Sequence, residues 1–123
     1  MIPVSSASRF FLYNHPTDMR KSFDGLCGLV NNELKGNPLS GDVYLFINRR
    51  RDRMKLLVWD KSGFWLLYKR LESGRFQMFS NAKVNNSIEV SYETLVMLIE
   101  GVDIQSLRRK KRYGRPKLLA LNS

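Results

Sequence analysis

Asp42-Val43-Tyr44-Leu45-Phe46-Ile47-Asn48, Arg49-Arg50-Arg51-Asp52-Arg53, Met54-Lys55-Leu56-Leu57-Val58-Trp59-Asp60, Lys61-Ser62-Gly63, Phe64-Trp65-Leu66-Leu67-Tyr68-Lys69-Arg70, Leu71-Glu72-Ser73-Gly74 and Arg75-Phe76-Gln77-Met78-Phe79 form one unbroken stretch. Apolar runs of strand length, dense in β-branched and aromatic residues, alternate with turn clusters. That is the pattern of an antiparallel meander. Asp60 to Gly63 supplies turn chemistry, with Gly63 able to take a positive φ, and Leu71 to Gly74 repeats it. Side chains alternate along a strand. Val43, Leu45 and Ile47 therefore oppose Tyr44 and Phe46, while Met54, Leu56 and Val58 oppose Lys55, Leu57 and Trp59. Phe64, Leu66 and Tyr68 oppose Trp65, Leu67 and Lys69. Neither face is polar throughout, so both need cover.

Upstream of this stretch, Arg9-Phe10-Phe11-Leu12-Tyr13 predicts a short strand, broken at Asn14-His15-Pro16. Thr17 and Asp18 predict the start of a helix, and Met19, Phe23, Leu26, Val30 and Leu34 trace its apolar stripe. Gly36 suits the C′ position and Asn37-Pro38 stops the helix. Gly25 and Gly28 each cost about 1 kcal/mol in a helix interior, which predicts a close backbone approach to the sheet, with a helical kink as the alternative. Downstream, residues 80–87 read as loop and Ile88-Glu89-Val90 as a short strand. Ser91 caps a helix over 92–100 that Gly101 ends. The expected fold is α+β: an antiparallel β-meander packed against a long N-terminal helix, plus a short C-terminal helix and a basic tail. Residues 1–107 form the single expected domain and 108–123 a flexible basic tail.

The charge balance is unusual. The 123 residues hold 21 Lys and Arg against 11 Asp and Glu, a formal net charge of +10. Seven of those cations fall between Arg108 and Lys117 with no acid among them. Self-repulsion of that size points to a polyanionic partner. The single cysteine, Cys27, excludes an intramolecular disulfide and a cysteine-based zinc cluster. No apolar run approaches the roughly 20 residues that cross a bilayer, and the N-terminus lacks the pattern of a secretory leader. The expectation is a cytoplasmic protein without a membrane partner.

Catalytic chemistry has little to stand on. His15 is the lone histidine, beside a proline. Asp42, Asp52 and Asp60 mark strand ends, but Asp52 belongs at the opposite end from the other two, so the carboxylates needed for a metal do not converge. No glycine-rich phosphate loop or nucleophile motif occurs. No enzyme activity, catalytic residue, metal or cofactor is expected.

Phosphate contacts are better supplied. The turn after the first long strand carries Arg49, Arg50, Arg51 and Arg53 with only Asp52 to offset them. Arg20 and Lys21 sit in the first turn of the predicted helix, where the macrodipole disfavours cations and a phosphate contact is one explanation. Lys69 and Arg70 lie beside Trp59, Trp65 and Tyr68, which either stack bases or belong to the core. In the tail, Arg108, Arg109, Lys110, Lys111, Arg112, Arg115 and Lys117 are expected to bind phosphate through counterion release, without sequence readout; a solubilising tail is the alternative. Gly114-Arg115-Pro116 resembles the core of an AT-hook, with Tyr113 where that motif prefers arginine.

Two blocks carry a wider resemblance. One is Thr17-Asp18-Met19-Arg20-Lys21-Ser22-Phe23-Asp24-Gly25-Leu26. The other runs from Arg50-Arg51-Asp52-Arg53-Met54-Lys55-Leu56-Leu57-Val58-Trp59-Asp60 through Gly63-Phe64-Trp65-Leu66-Leu67-Tyr68-Lys69-Arg70-Leu71-Glu72-Ser73-Gly74-Arg75-Phe76. Together they resemble the small accessory proteins, often called TnpB, of the bacterial insertion-sequence family numbered 66. (The RNA-guided nuclease of the same name is unrelated.) The resemblance spans about residues 13–104. It implies a part in transposition beside a separate, larger transposase, and it carries over no catalytic residue. The resulting expectation is a non-catalytic DNA-binding accessory protein whose partners are element-end DNA and the transposase. The alternative is an adaptor that binds the transposase through an open apolar sheet face without touching DNA.

Overall fold

The two-faced apolar runs form the strands that their alternation predicts. The structure, a computed structural model, describes residues 4–78 and 86–102. In chain order the elements are β1 (Phe10–Tyr13), α1 (Phe23–Asn32), β2 (Val43–Ile47), β3 (Arg53–Asp60), β4 (Gly63–Arg70), β5 (Ser87–Val90) and α2 (Tyr92–Glu100). They build one five-stranded sheet in the order β4-β3-β2-β1-β5. Strands β2, β3 and β4 are antiparallel neighbours, with Leu45 opposite Leu56 and Leu56 opposite Leu67. β1 pairs parallel to β2, Phe10 opposite Val43, and antiparallel to β5, Phe10 opposite Val90.

Both faces are buried, each in its own cluster. Phe10, Leu12, Val43, Leu45, Ile47, Met54, Leu56 and Val58 pack with Phe76, Leu95 and Leu98, so α2 and the segment after β4 cover this face. Tyr13, Tyr44, Phe46 and Leu57 pack with Leu26 and Val30 from α1 and with Leu34 just beyond it. Ser91 caps α2, its hydroxyl accepting from the Thr94 amide at 3.1 Å, and Gly101 ends it at φ 77°.

Three expectations are corrected. The sheet is mixed rather than an all-antiparallel meander. The N-terminal strand inserts between β2 and the edge strand β5, and α1 makes the crossover that a parallel β1–β2 pair requires. The N-terminal helix is short rather than long. It begins at Phe23, because the preceding residues are engaged elsewhere. The Thr17 amide donates to the Ile47 carbonyl at 2.9 Å, and Lys55 Nζ donates to the carbonyls of Met19 and Lys21, both at 2.7 Å. Residues 75–78, read as a further strand-like run, contribute a single bridge, Arg75 to Val102.

The glycines also differ from expectation. Gly28 faces open space, and a Cβ on Gly25 would meet only the Lys21 side chain. Neither marks a backbone approach to the sheet. Gly36 does: a Cβ there would lie 2.6 Å from the Tyr44 hydroxyl. The positive φ near the helix end belongs to Lys35 (56°), and in the β3–β4 hairpin to Lys61 (49°) rather than Gly63.

Candidate nucleic-acid interface

An Asn-led turn of five residues joins β2 to β3, and its own side chains lock it. Asn48 Oδ1 accepts from the amides of Asp52 and Arg53, each at 3.0 Å, while its Nδ2 donates to Asp52 Oδ1 at 2.7 Å. The Arg51 amide donates to the Asn48 carbonyl at 3.0 Å, and Arg51 takes φ 60°. From outside, the Phe76 amide donates to the Arg51 carbonyl at 2.7 Å and the Leu71 amide to the Asp52 carbonyl at 2.8 Å. With its backbone polar groups so engaged, the turn projects Arg49, Arg50 and Arg51 into solvent. Asp52 is held below the usual carboxylate range, chiefly by the Asn48 amide, with the Arg50 and Arg53 charges adding to the effect.

Facing the turn is the segment from Pro16 to Met19, which follows β1. The Thr17–Ile47 hydrogen bond and the Lys55 clamp hold it against the sheet. Lys55 is 6% exposed, and its Nζ also lies 4.8 Å above the Tyr68 ring. Asp18 Oδ1 accepts from the Arg20 amide at 2.9 Å, and the Arg20 guanidinium returns to the same carboxylate at 2.6 Å. That pairing lowers Asp18 to about 2. The two segments enclose a cleft of about 540 Å³, lined by Pro16 to Met19 and by Asn48, Arg49, Arg50, Asp52 and Arg53. The cleft lies at the carboxyl ends of the parallel pair β1 and β2, the end of an open sheet where ligands generally bind. The Thr17 hydroxyl on its wall is buried and has no hydrogen-bond partner among the described residues.

The predicted contacts therefore separate by environment. Arg49, Arg50, Arg51 and Arg53 make no ion pair among the described residues; Arg53 Nη1 reaches only the Tyr68 hydroxyl, at 3.5 Å. Arg20 is paired with Asp18, and Arg70 with Glu72 at 2.8 Å. Lys69 Nζ donates to the Ile99 carbonyl at the end of α2, at 2.8 Å. Lys21 is exposed beside Gly25. The tail residues Arg108, Arg109, Lys110, Lys111, Arg112, Arg115 and Lys117 lie outside the described residues, as does the Gly114-Arg115-Pro116 motif.

The aromatic residues do not form one stacking platform. Trp59 packs edge-on against Phe64 at 5.1 Å, and Trp65 Nε1 donates to Asp60 at 3.1 Å, at the sheet end remote from the arginine turn. Tyr68 stands on the opposite face from Trp65. Elsewhere Asp42 is held by Arg9 at 3.0 Å, and His15 Nε2 lies 3.0 Å from Asn86 Oδ1. Among the described residues no three His, Cys, Asp or Glu side chains are grouped to hold a metal ion. None of their helices is long and apolar enough to cross a membrane.

Sequence reasoning named the arginines but not the parts that position them. Asn48 was readable as a turn residue, since Asn bonds backbone two or more residues on. Lys55 and Thr17 gave no comparable signal, because their partners are remote in sequence.

The family described as IS66 Orf2 like protein matches residues 8–109, which takes in every described strand and helix and both walls of the cleft. The chain belongs to this family. It is an accessory protein associated with insertion sequences. Two similar relatives come from Sinorhizobium fredii (strain NBRC 101917 / NGR234). The uncharacterized protein y4jC is 36% identical over 110 residues, covering 89% of this chain and 92% of the relative. The uncharacterized protein y4hO is 34% identical over 103 residues, covering 84% and 88%. No solved structure matches the chain. The family match ends before Lys110, so most of the basic tail falls beyond it.

Proposed function

We propose that this IS66 Orf2-like protein grips the sugar–phosphate backbone of DNA as a non-catalytic accessory factor in transposition, beside a separate transposase. One observation carries the reading: three arginines stand on a turn locked by Asn48 and Arg53 follows at the start of β3, and none of the four forms an ion pair with a carboxylate among the described residues. Preordering matters because long cationic side chains lose conformational freedom on binding, and a rigid base limits that loss. The cleft and the neighbouring Lys21 extend the cationic surface, and the tail adds charge that needs no fold.

Binding of a short duplex, followed by fluorescence anisotropy across a salt series, tests this. Each phosphate neutralised contributes about −0.9 to the slope of log K against log salt. Replacing Arg49, Arg50 and Arg51 together by Ala is expected to weaken binding and flatten the slope by about one per lost contact. A slope near zero in the full chain overturns the proposal. The adaptor alternative is weakened, because α2 covers the sheet face on which it relied.

A further inference from the structure

We infer that β4 is the seam of a two-fold homodimer that joins two sheets edge to edge and turns two arginine turns away from each other. β4 is the outermost strand, and its backbone makes no hydrogen bond on the outer side among the described residues. Such an edge is a template for another strand unless it is short, charged or broken by proline or a bulge. This one is eight residues long, and its centre, Trp65-Leu66-Leu67-Tyr68, carries no charge. The other edge, β5, has only four residues and includes Glu89. Trp65 is 40% exposed and Tyr68 53%.

A second copy fits this edge better than an arbitrary strand. In an antiparallel pair the residues opposite one another share a face, so a two-fold axis must pass through a residue position. With the axis at Leu67, Leu66 meets the second copy's Tyr68, Trp65 meets its Lys69, and Phe64 meets its Arg70. Lys69 Nζ stays with the Ile99 carbonyl and Arg70 with Glu72, so their aliphatic stems would lie on the rings. No like charges face each other. An axis at Lys69 would set two ammonium groups opposite, and an axis at Leu66 would leave both cations facing only Gly63 and Ser62. Isologous two-fold pairing is also the commonest mode of self-association.

The arginine turn lies at the Arg70 end of β4, since Arg53 pairs with Arg70. The two-fold axis therefore sends the two turns to opposite ends of a ten-stranded sheet. The two Arg70 positions are roughly 20 Å apart along the strands, and the turns extend further still. A dimer so built holds two separate duplex segments rather than two sites on one; this part rests on the DNA-binding reading above.

Sedimentation equilibrium of the full chain without DNA tests the seam. The expected mass is twice 14.4 kDa at tens of micromolar. Trp65→Lys is expected to return a monomer with unchanged circular dichroism. Leu67→Cys in a Cys27→Ser background is expected to form a covalent dimer on mild oxidation, and this decides the matter should Trp65→Lys not fold. A monomeric wild-type protein, or an unlinked Leu67→Cys variant, overturns the seam. Capture of a second, labelled duplex by protein on an immobilised duplex tests the bridging. Capture that Trp65→Lys abolishes supports it. Binding of the first duplex without capture of the second overturns bridging alone. A dimer that binds neither overturns the DNA reading and leaves the seam standing.

Discussion

Lys55 shows how one side chain can decide a local fold. It occupies a strand position whose neighbours are apolar, yet its ammonium is fully engaged by the Met19 and Lys21 carbonyls and the Tyr68 ring. Lys55→Met is expected to lower stability by about 1.5–3 kcal/mol, the range for hydrogen bonds to charged groups, as read from urea denaturation. The Pro16 to Met19 wall should loosen with it. Asp18 offers a second test. Its folded pKa of about 2 lies below the ordinary value of 3.8, so whatever stability the Arg20 pair contributes is present above pH 4 and lost as pH falls through 2. A carboxyl titration by NMR is expected to place its midpoint near 2. The sequence showed Asp18 and Arg20 as a charged block but not which pairs close. The acceptors of Lys55 precede it by more than thirty residues, so no periodicity reveals them.

At the scale of elements, α1 and the connection that follows it make opposite use of glycine. Gly28 faces open space, so Gly28→Ala is expected to stabilise the protein by about 0.5–1 kcal/mol through helix propensity. Gly36→Ala is expected to destabilise it by about 1–3 kcal/mol, because the new Cβ would press on the Tyr44 ring. Thermal melts of the two variants should move in opposite directions. The sequence pattern gave Gly25 and Gly28 the wrong role, since spacing along a helix does not tell which side meets a neighbour. It placed α2, β2, β3 and β4 well, because their apolar alternation and the Ser91 cap are local signals. It overextended α1 because Met19 fits the stripe, while the competing demand on the Met19 carbonyl comes from another strand. The parallel pairing of β1 was unreadable for a related reason: four apolar residues state that a strand exists, not where it inserts.

For the whole molecule, charge and topology act together. The +10 net charge was visible in the sequence, but the cleft formed by the segments after β1 and β2 was not, since it depends on the parallel pairing. Asn48→Ala keeps every cation and removes the lock on the turn. It is expected to weaken duplex binding while leaving the salt slope nearly unchanged, since the number of phosphates contacted is the same. Anisotropy titrations at several salt concentrations separate this from loss of an arginine. The interior place of β1, between β2 and β5, has a further consequence for synthesis. The first strand to leave the ribosome finds its outer neighbour only when residues 87–90 emerge, so most of the polypeptide must be made before the sheet can close. Until then one edge of this apolar strand stays unpaired. A message truncated ahead of Ser87 would release a product that never acquires its last partner, and proteases would be expected to clear it quickly.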